Sequence, residues 1–190
     1  AERLLYPEAG RTSSLIGIQV GAGRLVKQWP AERLAAVAAR LMSEFNATIV
    51  LTGAQEDRTT ADALRANLFE STGVIDLVGA LDLVTLAAVL ARLSVLITPD
   101  TGPMHIAAAV ESPVVAIFGP ASPERWGPLS YHCRIVRVDL PCSPCNRIRR
   151  PPARCVGHTP DCLASIRVDD VYRAAASLLE SATAPGVRLS

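Results

Sequence analysis

Apolar runs of strand length alternate along this chain with segments of helical period, and that alternation leaves few folds open. "LIGIQV" (15–20) reads as a buried strand. "PAERLAAVAARLMSEF" (30–45) follows as a helix, with Leu34, Val37, Ala38 and Leu41 on one face and Pro30 at its first turn. "ATIVLT" (47–52) is a strand, "QEDRTTADALRANLF" (55–69) a helix and "GVIDLVG" (73–79) a short strand. "LDLVTLAAVLARL" (81–93) is a helix with Asp82 placed to cap it, and "SVLIT" (94–98) is the next strand. Another helix, strands over 112–119 and 133–138, and an amphipathic helix over 168–182 complete the pattern. Strands that are apolar throughout are buried on both faces. Strand–helix alternation then predicts an α/β fold, a Rossmann-like parallel sheet with helices on both faces.

The 190 residues, 49% of them hydrophobic, supply one domain with a full core. We place that domain at 15–182, including an irregular loop at 139–165, after a linker remnant (1–14) and before a tail (183–190). The opening "AERLLYPEAGRTSS" lacks Met and a signal pattern, which reads as a chain cut from something longer. No apolar stretch approaches the ~20 uncharged residues that span a bilayer. A net charge of +1 argues against a general nucleic-acid binder.

Ligands of such sheets bind beyond the carboxyl ends of the strands. The loops to watch are therefore 21–29, 53–57, 79–82, 99–103 and 119–128. The first reads "GAGRLVKQW". Its G-x-G invites a dinucleotide-cofactor reading, but position 26 is Val and the helix starts only at Pro30. The second strand also ends Thr52-Gly53, with no acid for a ribose. Eighteen of the nineteen basic residues are Arg, so the single Lys, Lys27, stands out. Either the glycines make a flexible loop that lets Lys27 reach an anion, or Lys27 is a solvated surface residue.

The turn "TPDTGPMHIAAAV" (98–110) joins a strand to a helix within a few residues. The first amides of a helix lack intrahelical partners, and its dipole is positive there. Gly102 allows close approach, Pro103 suits the first turn and Thr101 carries a hydroxyl, so the turn is fit to cradle a phosphate or diphosphate. Asp100 would turn from the phosphates towards sugar hydroxyls, or cap the helix. The bland alternative is a well-capped helix start. His105 is expected to be structural or to support a neighbouring site residue. Arg125 and Trp126 in "FGPASPERWGP" (118–128) either pack over a ligand or, the reading favoured, close the loop on the domain.

Four of the five cysteines fall in the 139–165 loop, spaced Cys142-x2-Cys145-x9-Cys155-x6-Cys162. That pattern suits a structural zinc; two disulfides or packed free thiols stay open. Arg147, Arg149, Arg150 and Arg154 share the loop. They form either a solvated rim or a patch facing an anionic acceptor or a membrane surface.

Taken together, "GAGRLVKQWPAERLAAVAARL", "IVLTGAQED", "DTGPMHIAAA", "FGP…P.RWGP" and the "PCSPCNR…C…DCLASI" loop resemble glycosyltransferase family 9, the bacterial heptosyltransferases of the lipopolysaccharide inner core. The resemblance covers roughly residues 15–167. It implies the C-terminal, donor-binding half of a two-domain GT-B enzyme, with ADP-heptose as the usual donor. By resemblance, Lys27 and the backbone of Thr101 and Gly102 hold the diphosphate, and Asp100 contacts the sugar. Glu56, in preference to Asp57, would bind the ribose, and Leu81 would flank the adenine. Gly23, Pro103 and Met104 complete the implied substrate-binding set. Many relatives carry Thr or Ser near the glycine loop; here Gly21-Ala22-Gly23 leaves that contact to backbone amides.

The resemblance places the general base and the glycolipid acceptor on a further N-terminal domain, and so no catalytic residue on this chain. It places the enzyme in the cytoplasm, peripheral at the inner face of the membrane. The absence of an Asp-x-Asp pair is consistent with a donor site that needs no catalytic metal or other cofactor. Two other readings are a stand-alone nucleotide-binding or interaction module without transferase activity, and a GT-B domain that uses a UDP-sugar.

Overall fold

The computed structural model describes residues 2–5, 14–68 and 73–183. Its centre is a six-stranded, wholly parallel sheet: β1 (Leu15–Gln19), β2 (Thr48–Thr52), β3 (Val74–Asp76), β4 (Val95–Pro99), β5 (Val114–Ile117) and β6 (Cys133–Val136). The order across the sheet is β3-β2-β1-β4-β5-β6. The chain winds outward from β1 through β3, returns to the other side of β1 at β4, and winds outward again. This doubly wound order reverses between β1 and β4, where their carboxyl ends open a crevice.

Helices cover both faces: α1 (Glu2–Leu5), α2 (Ala31–Phe45), α3 (Arg58–Ala66), α4 (Leu83–Leu90), α5 (Gly102–Ala109), α6 (Pro123–Trp126), α7 (Asp161–Ala164) and α8 (Val168–Thr183). Successive strand residues point to opposite faces. Ile16, Ile18, Ile49, Leu51, Val95 and Ile97 share one core with Leu34, Val37, Ala38 and Leu41 of α2 and Val171, Ala175 and Leu179 of α8. Leu15, Val50, Leu96, Val114 and Ala116 enter the other, with Val89 and Leu90 of α4 and Met104 and Ala107 of α5. Each fully buried aliphatic side chain contributes about 1.5–3 kcal/mol, so the two faces together hold the strands, and the site at their ends, in place.

The α2 face expected from the helical period is the buried one, and it includes Ala35 as well. Pro30 stands at the N-cap, one position before the helix. The expected helix over 55–69 divides into a short 3₁₀ turn, Gln55–Asp57, and α3; position 69 lies outside the described residues. Asp82 caps α4, its carboxylate accepting from the Thr85 amide at 2.7 Å. Leu5 is buried in the second core, and Glu2 pairs with Arg92 at 2.8 Å. Residues 6–13 and 184–190 lie outside the described residues. No helix among the described residues is long and apolar enough to cross a membrane.

A candidate donor site at the switch point of the sheet

The 21–29 loop is fastened at both ends rather than free to swing. Gly21 is buried beneath the Asp57 carboxylate, which occupies the space a Cβ there would need. Asp57 is held in turn by the Ala54 amide, which donates to its Oδ2 at 2.9 Å. At the far end, the indole of Trp29 is 2% exposed and sits in the first core. Gln28 donates to the Val20 carbonyl at 3.2 Å and to Thr60 Oγ1 at 2.6 Å. Between these anchors Leu25–Lys27 makes one 3₁₀ turn. The flexible loop expected from the glycines is thus a pinned one. Its fixed shape presents Lys27 across the switch point, where Nζ meets Asp100 Oδ2 at 2.7 Å.

The β4–α5 turn supplies the opposite wall. Thr101 is the N-cap of α5 in extended backbone, and Pro103 lies in the first turn. The Thr101 hydroxyl is engaged locally, 3.2 Å from Thr98 Oγ1 and 3.3 Å from the Pro99 carbonyl. The turn's readiest donors are therefore the backbone amides of Thr101 and Gly102, since Pro103 has no N–H and the Met104 amide already donates to the Thr101 carbonyl at 3.2 Å. A Cβ on Gly102 or on Gly23 would meet nothing within 4 Å, so at both positions the backbone faces open space.

Two cavities meet at this turn. One, of about 580 Å³, is bordered by Gly23, Glu56, Leu81, Thr101, Gly102 and Pro103, with Gln19 also on its wall. The other, of about 1130 Å³, is bordered by Lys27, Asp100, Thr101 and Gly102 together with His105, Arg125 and Trp126. They share only Thr101 and Gly102. The charged residues bordering the first are all acids: Glu56, Asp57 and Asp82. The second has six cations, Arg24, Lys27, Arg125, Arg147, Arg149 and Arg150, against the single acid Asp100. The turn thus separates an acidic compartment from a basic one.

Eight of the nine residues expected from the sequence border one or both cavities; Met104 borders neither. It is fully buried in the second core, because the third residue of α5 already faces the sheet. His105 is exposed on the basic cavity rather than packed, and Trp126, 46% exposed, lies on the same wall beneath the Arg125 guanidinium. Gln19 is 5% exposed at the end of β1, where its Oε1 accepts from Thr52 Oγ1 at 2.9 Å. Its signal in the sequence was a lone amide at the end of an apolar run.

Cys142, Cys145, Cys155 and Cys162 border one small cavity of about 30 Å³. All are free thiols. Burial pushes the Cys162 thiol up to about 11, and Cys145, Cys155 and Cys142 add to the rise. No group of three or more His, Cys, Asp or Glu among the described residues is gathered to hold a metal ion. The donor set expected for a structural zinc is thus drawn to one place but not assembled.

The sequence profile of glycosyltransferase family 9 (heptosyltransferase) matches residues 6–153. Lipopolysaccharide heptosyltransferase 2 of Salmonella typhimurium is 32% identical over 114 residues, covering 59% of this chain and 32% of that protein. The solved E. coli ADP-heptose lps heptosyltransferase II superposes with a TM-score of 0.78 at 27% identity, over 92% of this chain and 49% of that one. A family 9 glycosyltransferase from Veillonella parvula gives 0.75 at 31% identity, over 90% and 47%. This chain therefore spans a third to a half of the length of these relatives. A doubly wound sheet, the site at its switch point and a family profile matching most of the sequence agree, and the chain belongs to glycosyltransferase family 9, the heptosyltransferases.

Proposed function

We propose that this chain is the donor-binding part of an inverting glycosyltransferase that uses ADP-heptose. The observation that carries the reading is the sign change across Thr101–Gly102, with acids on one side and cations on the other. A nucleotide sugar has the same order of chemistry: a nucleoside rich in hydroxyls, then an anionic diphosphate, then a sugar. Glu56 is exposed in the acidic crevice and accepts the ribose hydroxyls; Leu81 packs beside the base. Asp57 is already committed to the Ala54 amide, which favours Glu56 for the ribose. The diphosphate crosses at the Thr101 and Gly102 amides, where backbone donors and the dipole of α5 favour an anion. The E. coli relative carries ADP-heptose in its name, which supports this donor.

In the reaction, an acceptor hydroxyl oxygen attacks the anomeric carbon. The bond from that carbon to the diphosphate oxygen breaks, and its electron pair leaves with the nucleoside diphosphate. The acceptor proton passes to a general base, which we place on a further domain along with the glycolipid acceptor. This chain's share is to stabilise the leaving charge. Lys27 and the Thr101 and Gly102 amides are fixed before the reaction begins, so they need not reorganise as charge develops. Asp100 holds the Lys27 ammonium at 2.7 Å and offers its other oxygen to sugar hydroxyls.

Calorimetry with ADP and with UDP at equal concentrations tests the proposal. ADP should bind and UDP should bind more weakly. No ADP binding at millimolar concentration would overturn the donor reading, and a preference for UDP would replace ADP-heptose with a UDP-sugar.

A further inference from the structure

The basic cavity holds more positive charge than the proposed donor can use. Arg24, Arg125, Arg147, Arg149 and Arg150 border it along with Lys27, and all five arginines are exposed. None of the five has a carboxylate partner among the described residues, whereas Arg40, Arg58, Arg65, Arg92, Arg137, Arg167 and Arg173 all do. The whole chain has a net charge of only +1, so this concave wall concentrates what the remaining surface balances. A diphosphate diester brings one negative charge per phosphorus, and Asp100 adds one. Those charges leave about half the cations without a counter-charge.

These arginines share a cavity with the diphosphate turn but reach it from other segments of the chain. Arg147, Arg149 and Arg150 come from the cysteine-bearing loop, not from the strand ends. That loop is docked onto the sheet end: the Asn146 amide donates to the Pro120 carbonyl at 2.8 Å, and Ser143 Oγ donates to the Gly119 carbonyl at 2.7 Å. Guanidinium forks clustered on a concave wall suit phosphate, which they bind through paired hydrogen bonds. Trp126 adds a half-exposed ring to the same wall, a surface on which a sugar face can pack.

We infer that this wall is a second anion site, which binds a phosphate-bearing saccharide of the acceptor beside the donor. The inference rests on the donor reading above for the meaning of "acceptor". The further domain then carries the general base and most of the glycolipid, this chain holds the part of the acceptor next to the reacting hydroxyl, and Arg147, Arg149 and Arg150 are specificity-determining residues. Binding through such exposed cations is strongly salt-dependent.

The test uses glucose 1,6-bisphosphate as the probe, titrated by calorimetry into the protein saturated with ADP. The expected result is binding in the presence of ADP. It weakens at least tenfold in the triple variant R147A/R149A/R150A and is partly retained in R147K/R149K/R150K, while the loss of ADP affinity, which shares the cavity's field, is at least fivefold smaller. Competition between ADP and the bisphosphate would show a single anion site and overturn the inference. So would a triple alanine variant that binds the bisphosphate like wild type. Binding of the wild type to phosphatidylglycerol vesicles but not to the bisphosphate would replace the saccharide with a membrane surface, and would overturn it as well. Loss of ADP binding by the wild type defeats the donor reading separately, because the bisphosphate titration can be run without ADP.

Discussion

Lys27 Nζ lies 2.7 Å from Asp100 Oδ2, with only 18% and 11% of the two side chains exposed. One residue follows β1 and the other follows β4, so this pair bridges the point where the sheet reverses its winding. Asp100 keeps the ammonium in place before an anion arrives. Lys27→Ala should therefore weaken ADP binding by ten- to a hundredfold, from a charge-assisted contact of about 1.5–3 kcal/mol, and leave adenosine binding almost unchanged. Isothermal calorimetry with both ligands checks this. An equal loss for both would make Lys27 a structural residue.

Removing the other partner should act differently. In Asp100→Asn the ammonium is released from its carboxylate and ADP should bind as tightly as in wild type or more tightly. Binding of an ADP-sugar should gain nothing over ADP, because the carboxylate proposed to meet the sugar hydroxyls is gone. If Asp100→Asn weakens ADP as much as Lys27→Ala does, the pair works only as a unit that shapes the loop.

The glycines of the site divide by what surrounds them. Gly102 has open space where a Cβ would stand, whereas Gly21 has the Asp57 carboxylate there. Gly102→Val should leave the melting temperature near wild type but cost at least tenfold in ADP affinity, by filling the face where the diphosphate approaches α5. Gly21→Ala should lower the melting temperature, since Asp57 must leave the Ala54 amide; overpacking of this kind costs about 1–3 kcal/mol. The double variant Gly21→Ala, Asp57→Ala should recover part of that loss. Thermal melts with and without ADP separate the two effects.

Much of this site is legible in the residues because it depends on chain order. A polar Asp-Thr-Gly-Pro between an apolar strand and a helix must lie at a strand's carboxyl end, and so must a glycine loop after β1. The covering helices follow as directly, since the apolar face of α2 is written in its 3.6-residue period. What is not legible depends on contacts between distant segments. The pairing of Asp57 with Gly21, the anchoring of Gln28 on Thr60 and the docking of the 139–165 loop beside Arg24 and Lys27 all join residues far apart in the chain. The burial of the Met104 side chain is not legible for a simpler reason. A turn motif names consecutive residues, but the helix that begins there sends one of them inward.

Asp76 sets an acid limit on the sheet edge. Its burial alone would raise its pKa, but the Val78 amide, Arg58 and Arg65 outweigh that and hold it below the ordinary 3.8. Arg58 reaches it at 2.6 Å and Arg65 at 3.1 Å. A depressed carboxylate pKa means that the unfolded chain takes up the proton first as the pH falls. The stabilisation is therefore complete above 3.8 and is lost as the pH drops through the folded-state value. Asp76→Asn should cost about 1–2 kcal/mol near neutrality, the lower part of the usual range because both arginines are partly solvated. Denaturant melts of wild type and variant should converge below pH 3.8; a constant gap at every pH would show that the carboxylate's charge is not what matters.

Cys162 carries the last prediction, and it bears on the state of the whole cysteine cluster. Its side chain is 7% exposed, and burial together with Cys145, Cys155 and Cys142 pushes its thiol up to about 11. A raised thiol pKa favours the neutral form in the folded protein. Its contribution to stability is complete below the ordinary 9.0 and is lost as the pH rises from there towards 11. Because the thiolate is the nucleophile, iodoacetamide at pH 8 should label Cys162 more slowly than the half-buried Cys142, Cys145 and Cys155, by tenfold or more. Mass spectrometry of quenched samples reads the order directly. A metal ion would change the pattern, since coordination removes the thiol protons and shields all four sulfurs at once. Uniform protection of the four residues, released by a chelator and matched by about one equivalent of zinc per chain, would mean that the thiols turn inward on an ion. Graded labelling with Cys162 last, unchanged by chelator, would mean that they pack the loop as free thiols.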